Sequence, residues 1–348
     1  ADAGASAAGA SAAAGARGAK AAGAQDEDMA KAMAKEHSQK QRQRMEDQKA
    51  RKEILQGAEV ICVTTMSAGG DILRDFSFQG ILVDEVAQAT EISTIVPVAL
   101  RGAQQLVLVG DHCQLPPSVV SREAELRGLS LSLYQRLADA GLDPRFLDTQ
   151  YRSHPLLAEF SAKLFYKGAL HSGISGSARP LPLGVPWPSD SAPVAFFEVG
   201  AREVLEGESK ANPEEVNAIG RLVDQVLRAG ELGPEDIGVV TPYMAQVRLL
   251  RRQIRDRLPQ HQKRLLEIAS VDNFQGREKE LILFSAVRSN PRGNVGFLAD
   301  WRRLNVMLTR ARRGLVVFGT AKTLRYDCHW QQWLDWCHGL DAVCAAPA

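Results

Sequence analysis

From Glu59 onward the chain is a series of short aliphatic runs separated by helical stretches, and that alternation leaves few architectures open. Val60-Ile61-Cys62-Val63, Ile81-Leu82-Val83 and Leu106-Val107-Leu108-Val109 come first; residues 194–199, 237–240, 281–284 and 315–318 follow. Runs this short with no polar alternation suit strands buried on both faces, as in a parallel sheet covered by helices on each side. Helical patterns over residues 91–100, 129–140, 214–229 and 244–258 supply those helices. The expectation is an α/β fold. A chain of 348 residues that is 45% hydrophobic can bury one large core or two ordinary ones. The turn Gly141-Leu142-Asp143-Pro144 marks a boundary between them, and the Pro/Gly/Ser-rich residues 172–193 read as a surface excursion within the second.

Residues 1–24 are almost entirely Ala, Gly and Ser, and such a segment buries too little surface to offset its ordering entropy. Disorder is expected there. Arg17 and Lys20 with few acids leave an organellar transit peptide open, while the missing initiator Met argues for a chain that starts partway through a longer protein. Residues 26–55 are charged and helix-prone, consistent with a solvated helix or linker, or with a basic arm that touches nucleic acid.

The formal charge of +1 gives no global nucleic-acid signature, so any such face must be local. Five scattered cysteines, an odd number, suit a reducing compartment better than a disulfide framework. The spacing of Cys328-His329 and Cys337-His338 fits no common zinc finger. No apolar run approaches the ~18 residues that span a membrane, so no membrane partner is expected.

Asp84-Glu85 emerges from the strand at residues 81–83, an arrangement with which many nucleotide hydrolases hold Mg²⁺ and polarise the attacking water. The next strand runs into Gly110-Asp111-His112-Cys113-Gln114-Leu115-Pro116-Pro117, where Gln114 can sense a γ-phosphate. Gln150-Tyr151-Arg152 lies just past the proposed boundary. Residues 302–313 read as an Arg-rich helix followed at once by a strand. Arginines offered by a second domain to a phosphate held on the first would make hydrolysis depend on domain closure. Residues 268–280, polar and containing Gly276, read as a loop at the sheet edge, where α/β proteins place ligands. Arg248, Arg251, Arg252, Arg255 and Arg257 form a basic run that is either solvated surface or a phosphate contact.

In this order, the segments from Glu59 to Leu334 resemble superfamily 1B helicases, the branch of the nonsense-mediated-decay helicase, senataxin and the immunoglobulin mu-binding helicase. Residues 84–91 resemble the family's motif II, 110–117 motif III, 271–280 motif V and 302–313 motif VI, with Gln150-Tyr151-Arg152 similar to its arginine-bearing motif. The resemblance implies two RecA-like P-loop-NTPase-type domains with parallel sheets, the first incomplete. Residues 1–55 would be a low-complexity and charged helical linker, 56–144 the C-terminal part of the first domain, 145–336 the second, and 337–348 a tail.

It also implies ATP hydrolysis with Mg²⁺ and 5′-to-3′ translocation on single-stranded RNA or DNA. Asp84 would hold Mg²⁺ through water, Glu85 polarise the attacking water and Gln114 contact the γ-phosphate, with Arg152 and Arg310 as arginine fingers. Gln88, Tyr151 and Glu278 would touch the nucleotide, Tyr151 packing on the base. Thr65, Thr241, Tyr243, Ser270 and Thr309 would face the nucleic acid, where hydroxyls and amides hold phosphates without reading sequence. Protein partners in RNA decay or genome maintenance and a cytoplasmic or nuclear location complete the expectation. The departures (Val86-Ala87, Ser153 and Trp301) remove no charged catalytic group.

The sequence contains no Gly-x-x-x-x-Gly-Lys-Ser/Thr, which the family carries upstream of Thr65. The nearest imitation, Gly319-Thr320-Ala321-Lys322-Thr323, has Val316 and Ala321 where the two glycines must sit, and reads as an ordinary strand exit. Two readings follow: an ATP-driven helicase here as a fragment without its phosphate loop, or a non-hydrolysing nucleic-acid-binding or scaffold protein derived from one.

Overall fold

A computed structural model describes residue 33 and residues 35–346; the disorder expected for residues 1–24 lies outside them. Two compact units are present. The first comprises the described residues up to Gln79 together with Val96–Ala103. In it, residues 35–56 form an exposed helix with i,i+4 ion pairs Lys40–Glu36 and Arg42–Glu46, pairs that add a few tenths of a kcal/mol each. Arg101, buried, donates to the carbonyls of Ala68 (2.6 Å) and Gly70 (3.1 Å), satisfying the end of the short helix Thr65–Ala68. The strand expected at residues 60–63 does not form. Those residues pair with no other strand among the described residues and are largely exposed, and a strand without a ladder has nothing to fix it.

The second unit holds Gly80–Ile95 and the chain from Gln104 onward. Gly80–Val83 pairs in parallel with Gln105–Leu108. A six-stranded sheet, parallel at every pairing, runs in the order Val343–Ala345, Val194–Glu198, Ala311–Gly319, Lys279–Ser285, Ile237–Thr241, Glu267–Ser270. Alternate residues feed two cores. Phe196, Phe284 and Val317 point to the face covered by Trp330, Trp333 and Leu304; Phe197, Leu283 and Val316 point to the face covered by Ile219, Leu222 and Leu250. Continuous apolar runs are therefore what this doubly covered sheet requires.

Helix ends follow local chemistry. Pro213–Ala229 starts behind Asn212, whose side chain accepts the Glu215 N–H, and stops at Gly230 with φ 75°. The pattern expected from residue 129 begins only at Leu133, because Ser132 accepts the Gln135 N–H and caps the helix there. The Arg-rich helix expected over residues 302–313 ends at Leu308. Thr309 Oγ1 donates back to the carbonyls of Asn305 (2.8 Å) and Val306 (3.2 Å), and Arg312 and Arg313 lie on the strand Ala311–Gly319. Residues 268–270, expected as the start of a loop, instead belong to the edge strand Glu267–Ser270 with Ile268 buried, too short a run to show periodicity. Arg251 and Arg255 of the basic run donate to the carbonyls of Ile268 and Leu266.

Candidate active site

Asp84 and Glu85 leave the strand Gly80–Val83 together, and Glu85 adopts φ 52°, a left-handed conformation uncommon outside glycine. The turn is tied down by the Val86 N–H to the Val109 carbonyl (2.9 Å). Asp84 Oδ1 accepts the Glu85 N–H at 2.9 Å, and Gln88 Nε2 donates to Glu85 Oε2 at 2.7 Å. Both carboxylates are exposed, and among the described residues neither is ion-paired. Two exposed carboxylates at a strand end could hold a hydrated divalent cation.

The neighbouring strand delivers Asp111, the organising residue of its loop. Its carboxylate accepts the Cys113 N–H (2.9 Å), Gln114 Nε2 (2.9 Å) and the Tyr166 hydroxyl (2.6 Å). Asn305, buried on the helix Trp301–Leu308, donates to the Cys113 carbonyl at 2.9 Å and to the Tyr166 oxygen at 3.0 Å. The loop and the helix are thus latched by Asn305 both directly and through Tyr166. Burial pushes the Tyr166 phenol well above its ordinary range and the Cys113 thiol up to about 11, so both stay protonated at neutral pH.

Arg310 stands between these groups, only 2% exposed. It donates from Nε to the Val306 carbonyl (2.9 Å), and from Nη2 to Thr309 Oγ1 (2.8 Å) and Gln114 Oε1 (3.2 Å). Burial lowers its pKa to about 10 with help from the Arg152 charge, while Glu85, Tyr166 and Asp111 act the other way, and it remains cationic at neutral pH. Arg152 pairs with Glu278 and donates to the Thr309 carbonyl at 3.1 Å. Arg179, which the sequence did not single out, fixes this segment by donating to the carbonyls of Arg152 (2.9 Å) and Tyr151 (3.3 Å). Tyr151 itself is exposed, and its ring lies where a Cβ at Gly173 would be 2.2 Å away. Glu85, Gln114, Arg152, Glu278 and Arg310 thus share one neighbourhood.

The residues expected to face nucleic acid are not brought together as a set. Thr241 and Ser270 are register partners at the C-terminal ends of adjacent strands, both buried. Tyr243 is buried as well, its hydroxyl donating to the Val295 carbonyl (3.2 Å) and accepting from Arg288 Nη1 (3.3 Å). Thr309 lies at the opposite end of the sheet beside Arg310, and Thr65 belongs to the first compact unit. Lys279 pairs with Ala311, so Glu278 and Arg310 sit at strand starts; a seven-residue strand separates that edge from the Thr241–Ser270 edge by roughly 20 Å. At the exit Gly319-Thr320-Ala321, the Ala321 N–H donates to Glu198 Oε2 at 3.0 Å, so the amide that would greet a phosphate is occupied.

Two family profiles, both described as AAA domain, match residues 6–122 and 129–322. The regulator of nonsense transcripts 1 homolog of Drosophila melanogaster is 42% identical over 290 residues, covering 82% of this chain and 24% of that protein. Its Arabidopsis thaliana counterpart is 42% identical over 286 residues, covering 80% and 22%. The Saccharomyces cerevisiae ATP-dependent helicase NAM7 is 40% identical over 291 residues, covering 82% and 30%. The chain therefore spans about a quarter of the length of these relatives. Among solved structures, an arterivirus nonstructural protein 10 helicase covers 70% of this chain and 40% of its own at 14% identity and a TM-score of 0.34. This chain belongs to the AAA domain family, among the superfamily 1B helicases of the nonsense-mediated-decay branch.

Proposed function

We propose that the chain carries the hydrolytic and strand-gripping elements of an ATP-dependent helicase that moves 5′-to-3′ on single-stranded RNA or DNA. The observation that carries this reading is the convergence of Arg310, Gln114, Glu85 and Arg152 in one neighbourhood. Residues 56–144 and 145–336 are read as belonging to two RecA-like domains.

In this mechanism Glu85 polarises the attacking water, and Gln114 senses the γ-phosphate. Arg152 and Arg310 stabilise the charge that develops on the transferred phosphoryl group; positioning and electrostatics supply most of such catalysis. Asp84 would hold Mg²⁺ through water, the cation neutralising phosphate charge. Glu278, which orients Arg152 now, and Gln88, which orients Glu85, become nucleotide contacts, and Tyr151 offers an exposed ring for the base. Thr241 and Ser270, at the ends of adjacent strands, contribute to gripping the nucleic-acid backbone.

The test is Mg²⁺-dependent ATP turnover with and without single-stranded nucleic acid, then strand displacement on duplexes bearing a 5′ or a 3′ overhang. Stimulated turnover and displacement from the 5′ overhang alone are expected of the complete motor; displacement only from the 3′ overhang would overturn the polarity.

The second reading is a non-hydrolysing nucleic-acid-binding or scaffold protein, and the retention of Asp84, Glu85, Gln114, Arg152 and Arg310 together weighs against it. The chain of residues 1–348 alone is expected to bind ATP poorly and hydrolyse it negligibly, since this sequence has no phosphate loop, whose amides and Lys supply much of the phosphate affinity. Turnover near ~1 s⁻¹, low in the usual enzyme range, would contradict that.

A further inference from the structure

Tyr243 has the composition of a nucleic-acid contact, an aromatic just past a strand end, but the fold buries it. What covers that edge is Phe297. Its ring centroid lies 5.7 Å from that of Tyr243, and it is 59% exposed, against 3% for Tyr243. The Arg303 guanidinium sits over the Phe297 ring, 5.4 Å from its centroid, and is itself held by Asp272 (3.0 Å) and Asp300 (3.5 Å). Asp272 immediately follows the strand Glu267–Ser270, so the ring stands at the same sheet edge as Thr241 and Ser270.

The turn beneath the ring is fixed from several sides. Asn290 donates to the Asn294 carbonyl and accepts its N–H (2.8 and 3.0 Å), Asn294 Oδ1 accepts the Gly296 N–H (3.0 Å), and Trp330 Nε1 donates to the Leu298 carbonyl (2.9 Å). Gly296 adopts φ 57°, and a Cβ there would sit 2.1 Å from Arg288 Nη1, so no larger residue fits without displacing that arginine. A large apolar ring is thus presented to solvent on a rigid support.

We propose that Phe297 is a stacking platform for an unpaired base of the bound single strand, with Arg303, packed against the ring, completing it. The inference rests on the single-strand-binding reading above and adds the residue that would take a base. Stacking needs one aromatic face and tolerates any base, because every base has a π-face. A protein partner would need a far larger complementary surface, whereas the residues that hold this ring, Arg303, Asp272, Asp300 and Asn294, are polar. The ring is also pre-ordered, so little rotamer freedom is lost on binding.

The test measures binding of the full chain to a fluorescent oligouridylate and to an abasic oligomer of the same length, for the parent, Phe297→Ala, Phe297→Leu and Phe297→Trp. Thermal melts confirm folding; an exposed ring is not expected to move them greatly. The expected result is a loss of about tenfold for oligouridylate in the Ala and Leu variants, retention in Trp, and no difference among variants for the abasic oligomer. A parent that binds oligouridylate while Phe297→Ala binds it equally well would overturn the platform alone, in favour of a protein contact. Equal losses for both oligomers would also overturn it, since the effect would then be electrostatic or conformational. A folded parent that binds no single strand at all would overturn both the platform and the reading on which it rests.

Discussion

Arg310 Nη2 donates to Gln114 Oε1 at 3.2 Å across 196 residues of sequence. The contact ties a buried guanidinium to the loop that Asp111 organises, with Glu85 close enough to oppose the lowering of the arginine's pKa by burial. In the proposed mechanism a terminal phosphate would compete with Gln114 for Arg310. The hydrogen bond is thus a resting contact that the nucleotide would break.

Replacing Arg310 with Ala should lower stimulated ATP turnover by ~10³-fold or more while affecting nucleotide affinity far less, because a finger acts on the transition state. Lys keeps the charge but not the planar fork that reaches Val306, Thr309 and Gln114 together, so it should rescue poorly. Arg152→Ala should behave alike, with a smaller folding cost, since Arg152 is more exposed than Arg310. Single-turnover hydrolysis and nucleotide binding on the ATP-hydrolysing protein separate the two effects. Normal turnover in both variants would reduce these arginines to packing residues.

Glu85→Gln should bind Mg²⁺ and ATP at near-parent affinity but hydrolyse negligibly, since it leaves Asp84 in place and removes only the polarising carboxylate. The Gln side chain still offers an oxygen to Gln88 Nε2, so the left-handed turn should persist. Parent-rate hydrolysis in this variant would take the assignment away from Glu85.

The strands of the main sheet were legible because a doubly covered parallel sheet demands continuous apolar runs, and residues 237–240 and 281–284 supply them. Residues 60–63 carry the same pattern yet form no strand: composition specifies a preference, and pairing decides the outcome. Gln114 and Arg310 could be picked out because each stands in a recognisable contiguous segment. Tyr166, Asn305 and Arg179 could not. Their roles arise from contacts with Asp111, Cys113 and Arg152, whose partners lie dozens to nearly two hundred residues away, and no local spacing encodes them. Tyr243 shows the converse limit: the resemblance set it against nucleic acid, and in the fold it is buried beside Phe297.

Glu215 is fully buried, and burial raises its carboxyl pKa to about 8, although the Ser285 hydroxyl (2.5 Å) and the Val287 N–H (2.9 and 3.0 Å) favour its anion. The folded state therefore holds a proton that the unfolded chain releases near its ordinary value of 4.5. Folded stability should fall as pH rises from about 4.5 through 8, by at most about 1.4 kcal/mol per pH unit from this group, and level off above. Glu215→Gln should remove this slope, so its disadvantage relative to the parent shrinks as pH rises. Chemical denaturation of both proteins between pH 5 and 9 checks this; parallel curves would show that Glu215 is ionised in the fold.

Glu203 closes the segment that follows the strand Lys279–Ser285. Its Oε2 accepts from Arg288 Nε (2.8 Å), the Ser289 N–H (2.9 Å) and Asn290 Nδ2 (3.1 Å), and these donors hold its carboxyl below the usual range against the opposing effect of burial. Both ends of the Arg288–Glu203 pair are less than a tenth exposed. Removing one partner leaves a buried charge uncompensated, which costs about 3–5 kcal/mol, whereas removing both does not. Glu203→Ala should therefore destabilise the fold by roughly that amount, and adding Arg288→Met should recover part of the loss. Because Asn290 is released in both variants, the turn carrying Phe297 should stay loosened even where stability returns. Denaturant unfolding with hydrogen exchange over residues 286–299 resolves the two. Additive destabilisation in the double variant would mean that Glu203 and Arg288 act independently, not as a pair.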